Sequence, residues 1–485
     1  MNEEDLKDKT LTGFIWQLLQ KAVGQLLSFF VTVILARLLL PSDYGVVALA
    51  SMFNVLAGIF ISGSMDAALI QKKDADELDY NTVFYSSLFM SFVIYAIVFF
   101  GAPILANIYG NPLVTPLMRV LALGMPIGAL TMVQNATVSR QLQFKKLFYA
   151  SLAGQIISAV VGITMAYGGY GPWALVIQSL MGGISNTVVM SFLVSWHPRL
   201  MFSYIRFREL FDFAWKKTAA GFIGTLCFQL RGYLIGYKYT MADLAYFNRG
   251  DGLPDMVLNN INGSINSVLF PALSKISNDP EALRRGVRRA MMISSYVLTP
   301  MLLGLAAVSP QVVLLLYSDR WAAAIPFMQV ACLTACMTVL NTANLQAFFA
   351  IGRSGEVLKL EIYKKPVMIV ILAIAIFISP LAISVGLLFY SFYVLYVNTR
   401  PNAKYLGYTL HEQIRDVRGS FLLAGTMALL VYGIGFIISN IVLCLTVQIL
   451  FGAAYYIGLS HLMQMEEYLY VRKTVMEIIQ KRKNK

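Results

Sequence analysis

Two long apolar runs joined by a short turn constrain this chain more than anything else in it. The first run, Thr12–Leu35, holds a single charge, Lys21; the second, Tyr44–Ile70, holds only Asp66. Each is longer than the ~20 residues that cross the hydrocarbon core of a bilayer. Only Ala36 to Asp43 lies between them, so the runs must form an antiparallel hairpin. A charge at the middle of such a run costs about 2.5–3.5 kcal/mol in lipid, so Lys21 is expected to face a cavity or a partner.

The same pattern continues along the 485 residues. Fourteen candidate spans can be read, approximately 12–35, 44–70, 82–107, 114–138, 147–167, 172–195, 212–237, 244–272, 287–310, 322–350, 364–380, 382–399, 419–438 and 440–464. Charged residues make up 13% of the chain, about half the share in soluble domains, which makes it a polytopic membrane protein. The net charge of +13 would suggest nucleic acid, but its distribution does not. Thirty-one of the 38 Lys and Arg fall in alternate connections, beginning with the N-terminus. That asymmetry predicts both termini on the cytoplasmic side, and the cationic connections are short and separated rather than one basic face. The acidic N-terminal segment lacks the features of a cleaved leader, so the first run is expected to stay as an anchor.

The hairpin recurs about 200 residues later. Trp16 corresponds to Trp215 and Asp43 to Asp243; the second copy carries Arg231 in its first arm and Arg249 near the start of its second. A six-span repeat inserts both halves in the same direction, and parallel repeats of this kind occur in transporters that bind substrate between halves. The expected architecture is therefore all-α: two six-helix lobes facing each other across a cationic cavity, plus two appended C-terminal helices. Boundaries are expected at 1–208, 209–412 and 413–485, with Trp196–Glu209 as an interfacial linker.

The chain has no Walker loop, no dinucleotide glycine pattern and no metal-binding His pair, so no cofactor, metal or catalytic set is expected. The four cysteines lie in apolar stretches without metal-ligand spacing. The intramembrane cations are the informative group. Lys21, Arg231, Arg249 and Arg119 lie in or at the edge of spans, and Arg37 closes the first arm. Guanidinium forks suit phosphate oxygens, so this set favours an anionic, diphosphate-bearing substrate. Asp66, Asp251 and Asp255 are the candidate gating or ion-coupling carboxylates; the last two could equally pair with Arg249.

The segment Ile34-Leu35-Ala36-Arg37-Leu38-Leu39-Leu40-Pro41-Ser42-Asp43-Tyr44-Gly45-Val46-Val47-Ala48 resembles bacterial polysaccharide flippases. Shorter pieces, Ala67–Gln71, Gly171–Leu175 and Ala245–Arg249, fit the same family. It belongs to the exporter superfamily (MOP) that also holds multidrug and toxin extruders and the lipid II flippase. The likeness is nearest the exopolysaccharide branch with the colanic-acid-type exporters. The resemblance implies a V-shaped fold of two six-helix bundles and two extra helices in the bacterial inner membrane. It implies a substrate too: an oligosaccharide repeat unit on undecaprenyl diphosphate, moved from the cytoplasmic to the outer leaflet, its diphosphate held by cavity cations. Membrane lipids would be its neighbours, and a coupling proton or sodium ion and contact with polysaccharide polymerase machinery stay open. The competing readings are a cation-coupled multidrug exporter on the same fold, which needs acidic groups in the cavity, and a membrane glycosyltransferase or polymerase, which needs catalytic acids and a sizeable outer loop.

Overall fold

A computed structural model describes residues 3–62, 65–72, 74–277, 279–351 and 354–483. Asp66 lies in a helix, but its side chain is outside the described residues. Among these residues the helical segments are, in order, α1 Glu3–Leu38, α2 Pro41–Ser62, α3 Met65–Gln71, α4 Glu77–Ile108, α5 Val114–Ala122, α6 Gly124–Arg140, α7 Phe144–Tyr167, α8 Pro172–Leu193, α9 Tyr204–Lys238, α10 Met241–Lys275, α11 Pro280–Tyr317, α12 Ile325–Ala350, α13 Ser354–Ala375, α14 Pro380–Leu406, α15 Leu410–Ile434, α16 Ile441–Leu462 and α17 Glu466–Lys483. A 3₁₀ turn, Asp319–Ala324, precedes α12, and no strand occurs among the described residues.

Local chemistry sets the helix ends. Pro380 and Pro280 occupy first-turn positions, where a missing N–H costs nothing. The side chains of Ser379, Asp279 and Asn440 accept the free N–H groups of the turns that follow them. The expected single span over 114–138 is two helices meeting at Leu123. Pro126 can offer no N–H to Ala122, and the break falls there. Of the span expected over 44–70, the described residues are helical up to Ser62 and again from Met65.

Eleven helical segments among the described residues are long and apolar enough to cross a membrane, which makes this a multi-pass membrane protein. Helices α9, α10 and α13 are as long but more polar. Arg231 interrupts α9, Arg249, Asp251 and Asp255 interrupt α10, and Lys359, Glu361, Lys364 and Lys365 crowd α13. The packing is inverted relative to a soluble protein. On α8, Phe192 is 86% exposed while Ala174 is fully buried, so bulky apolar groups face outward and small ones face neighbouring helices. Where α7 crosses α8, Gly154, Ser158 and Gly162 meet Gly182 and Gln178. A Cβ on Gly154 would stand 2.8 Å from the Gly182 carbonyl oxygen.

The chain separates into two compact units, residues 1–245 and 246–485. Helix α9 belongs with the first because it packs on α2, α3 and α4. Its polar end is tied down by ions: Asp79, fully buried, accepts from Lys72 Nζ at 2.7 Å and lies 3.5 Å from Arg206 of α9. In the second unit, α12, α14 and α15 share a buried amide network. Asn344 and Gln413 exchange side-chain hydrogen bonds at 3.0 Å in both directions, and Asn402 donates to Asn344 at 2.6 Å. Asn398 donates to Asn341 at 2.9 Å and accepts from Lys364 Nζ at 3.2 Å. Lys364 is only 3% exposed and also pairs with Glu361.

Candidate functional site

The hairpin turn and its later copy share one backbone-to-aspartate contact at the first residues of α2 and α10. The backbone N–H of Leu40 donates to the Asp43 carboxylate at 3.1 Å, and that of Thr240 donates to Asp243 at 3.1 Å. Each aspartate thus satisfies a donor three residues upstream; Thr240 Oγ1 also accepts from the Asp243 N–H at 3.1 Å, completing a capping box that Leu40 cannot make. The two turns also touch: Gly45, just after the first, packs against the Met241 carbonyl in the second.

From this contact an aromatic seam runs down α2 and α9. The rings of Phe53 and Tyr233 lie 4.5 Å apart, and Tyr233 Oη donates to the Met52 carbonyl at 3.0 Å. Tyr109 Oη donates to the Tyr233 carbonyl at 3.4 Å, and Phe60 meets Phe222 at 4.9 Å. Gly232 leaves room for Met52; a Cβ there would be 2.4 Å from Met52 Cε.

Behind the seam the first unit is hollowed by three adjoining cavities of about 540, 460 and 460 Å³. The first follows α1 past Gln17, Lys21 and Gln25; the second, bounded by α7 and α8, shares Gln20 and Gln155 with it. The third, against α2, shares Asn135 with the second and adds Asn54. Among the described residues, Gln155 Oε1 and Asn54 Oδ1 are buried without a hydrogen-bond partner. Such atoms cost about 1–3 kcal/mol unless something supplies a donor. The groove is therefore a row of amides and hydroxyls, able both to donate and to accept, with one ammonium group at its α1 wall.

The sequence-selected residues separate within this frame. Lys21 is exposed on the groove. The other four cations do not line that cavity. Arg231 sits half-buried on α9 beside the seam, its guanidinium 4.5 Å above the Phe228 ring. Arg119 is held by the protein: its Nε donates to the Phe99 carbonyl at 3.0 Å and its guanidinium covers the Phe99 ring at 4.0 Å. Arg37 is exposed in the last turn of α1 and engages other protein groups. In the second unit, Arg249 lies against the neighbouring rings of Tyr317 and Trp321, at 4.9 and 5.0 Å. Asp251 and Asp255 are half-buried on the same helix and engaged with other groups. No cluster of His, Cys, Asp or Glu suited to a metal occurs among the described residues.

Sequence reasoning missed the groove amides. One signal was available: Gln17, Gln20, Lys21, Gly24, Gln25 and Ser28 recur at three- and four-residue steps, a polar stripe on an apolar helix.

A family model described as polysaccharide biosynthesis protein matches residues 34–326. The chain belongs to that family. The succinoglycan biosynthesis transport protein ExoT of Rhizobium meliloti is 26% identical over 342 residues, 68% of each chain. The lipopolysaccharide biosynthesis protein WzxC of Escherichia coli is 23% identical over 74% of this chain and 73% of its own. The teichuronic acid biosynthesis protein TuaB of Bacillus subtilis is 23% identical over 62% and 63%. Among solved structures, the lipid II flippase MurJ in an inward closed conformation superposes with a TM-score of 0.75. It covers 93% of this chain and 98% of its own at 15% identity. A multidrug resistance MATE family transporter of the MOP superfamily gives 0.61 over 79% and 94%, at 14% identity. The fold of this family member is thus that of MOP-superfamily transporters.

Proposed function

We propose that the protein flips undecaprenyl-diphosphate-linked oligosaccharide repeat units from the cytoplasmic to the outer leaflet of the bacterial inner membrane, for surface polysaccharide assembly. The observation that carries this reading is the groove of the first unit. It is polar, contains unpartnered buried amide oxygens, and sits among helices suited to lipid. Amides in a row suit sugar hydroxyls, which both donate and accept. Lys21 supplies a cation for the diphosphate, and Arg231 and Arg249, on the two polar helices α9 and α10, are the next candidates. Arg119 and Arg37 are weaker ones. The names of the relatives, tied to succinoglycan, lipopolysaccharide and teichuronic acid, support the substrate class.

In this reading, α9, α10 and α13 complete a set of fourteen spans, in two six-helix lobes of a V with two appended helices. Both termini lie in the cytoplasm. The twin turns at Asp43 and Asp243 then lie at the outer face, and the α2–α9 seam closes that side until alternating access opens it. Asp66, Asp251 and Asp255 are the carboxylates through which a proton or sodium ion would couple, and polymerase machinery would receive the product. The alternative is a cation-coupled multidrug exporter on the same fold. It is disfavoured because, among the described residues, no Asp or Glu lines the three cavities.

The test is leaflet exchange of a lipid-diphosphate-linked sugar in proteoliposomes. Wild-type protein is expected to accelerate exchange, and Gln155→Leu to slow it by about tenfold, the equivalent of one lost charged or paired contact. Wild-type liposomes no faster than protein-free ones would remove the proposal.

A further inference from the structure

The second unit contains a cavity that the transport reading does not use. It measures about 460 Å³ and lies where the first turns of α11 meet α17. Arg285, Arg288 and Arg289 form one wall, spaced three and four residues apart on one face of α11. Glu466, Glu467 and Tyr470 of α17 form another, and Ile276, Met292 and Ile293 supply an apolar floor.

The charges on these walls are not all engaged alike. Arg288 is committed to Asp416 at 2.8 Å, and Asp416 is held from its other oxygen by Tyr408 Oη at 2.8 Å. Arg285 reaches only Glu281, at 3.6 Å, and both side chains are largely exposed, so that pair is weak. Among the described residues, Arg289 has no carboxylate within ion-pair distance; its guanidinium rests over the Tyr470 ring at 5.1 Å. Stacking of this kind orients a guanidinium while its N–H edge stays open to an acceptor. On the opposite wall, burial of Glu467 pushes its carboxyl above the usual range, towards the neutral form. Arg285 and Arg289 are thus the two cations the protein leaves largely uncommitted, set at the rim of an apolar hollow.

We infer that this cavity binds a phosphate group, carried by an anionic phospholipid or free in solution, between Arg285 and Arg289. The apolar floor favours the lipid, whose glycerol and upper acyl chain would cover Met292 and Ile293 while the headgroup meets the arginines. Basic pockets beside membrane helices bind acidic lipids in this way. Assignment to the cytoplasmic leaflet rests on the orientation proposed above; phosphate binding itself does not.

The experiment uses the full-length protein in phosphatidylcholine nanodiscs containing a graded fraction of phosphatidylglycerol, with retained lipid counted by native mass spectrometry. A parallel arm titrates inorganic phosphate into the detergent-solubilised protein. Arg289→Gln and Arg285→Gln, both at exposed positions, are compared with Arg418→Gln, an exposed cation that does not line the cavity. Phosphatidylglycerol retention is expected to weaken about tenfold in the first two variants and to be unchanged in the third. Weakening of inorganic phosphate binding by the same two variants, without lipid preference, also supports the site and names free phosphate as its occupant. Equal binding of both probes by wild type and the two cavity variants overturns it, as does an equal loss in Arg418→Gln. Arg289→Lys keeps the charge, and its partial retention of lipid separates a binding loss from a folding defect.

Discussion

Gly45 stands against the backbone of Met241 so closely that a Cβ built on it would lie 1.7 Å from the Met241 carbonyl oxygen. No rotamer change can relieve a clash with backbone, so Gly45→Ala must push the two turns apart. The expected cost is about 1–3 kcal/mol, read as a lowered melting temperature of the purified protein. Gly58→Ala, on the same helix but with nothing within 4 Å of the added carbon, is expected to leave the melt unchanged or raise it. Equal behaviour of the two variants would show that the contact carries no weight.

Lys364 provides a second test. Lys364→Met removes the donor to the Asn398 oxygen in a fully buried amide network, at an expected cost of about 1–3 kcal/mol. Glu361 then keeps only Lys365, at 3.4 Å, and Glu361→Gln relieves the charge that this longer contact leaves under-compensated. The double variant is therefore expected to melt above the single one. A double variant that melts lower would place the cost in packing and not in charge.

Acid should loosen the first unit at the start of α4. The Asp79 backbone N–H, donating to Asp76 at 2.9 Å, holds the Asp76 carboxyl below its ordinary value of 3.8, with help from nearby Arg206. A carboxylate with a lowered folded-state pKa stabilises above its unfolded value and loses that contribution as pH falls through the folded one. The stability difference between wild type and Asp76→Asn is thus expected to be constant above about pH 5 and to shrink below pH 3.8. Melting curves across pH 2.5–6 (about that range brackets the transition) check it.

Two cations chosen alike from the sequence should behave differently. Lys21→Gln removes an exposed ammonium on the groove, so exchange in proteoliposomes is expected to fall about tenfold with an unchanged melt. Arg119→Gln removes a guanidinium bonded to the Phe99 carbonyl and stacked on its ring, so its main effect is expected on the melt. A fall in the melt for Lys21→Gln of similar size would recast that lysine as structural.

These cations were visible in the sequence because a charge inside an apolar run is conspicuous. What each one touches was not. The Phe99 carbonyl that satisfies Arg119 belongs to a neighbouring helix, and a carbonyl leaves no mark in a sequence. Lys364 stands at the edge of the expected span 364–380, and its burial depends on Asn398, 34 residues away. The hairpin copy was legible because Asp43 and Asp243 cap the same turn from the same register. The groove was hidden because asparagine and glutamine are common on any helix. Only the helical spacing along α1 betrayed it.

The buried amides of α12, α14 and α15 have one more consequence. Asn344 alone exchanges bonds with Gln413 and accepts from Asn402, so sliding any of the three helices by one turn would strand several polar groups at once in a medium with no water to replace them. This bundle is keyed like a lock with interdependent tumblers. Under the proposed transport cycle those three helices are expected to move as a block, with the flexing assigned to segments whose contacts are greasy and interchangeable.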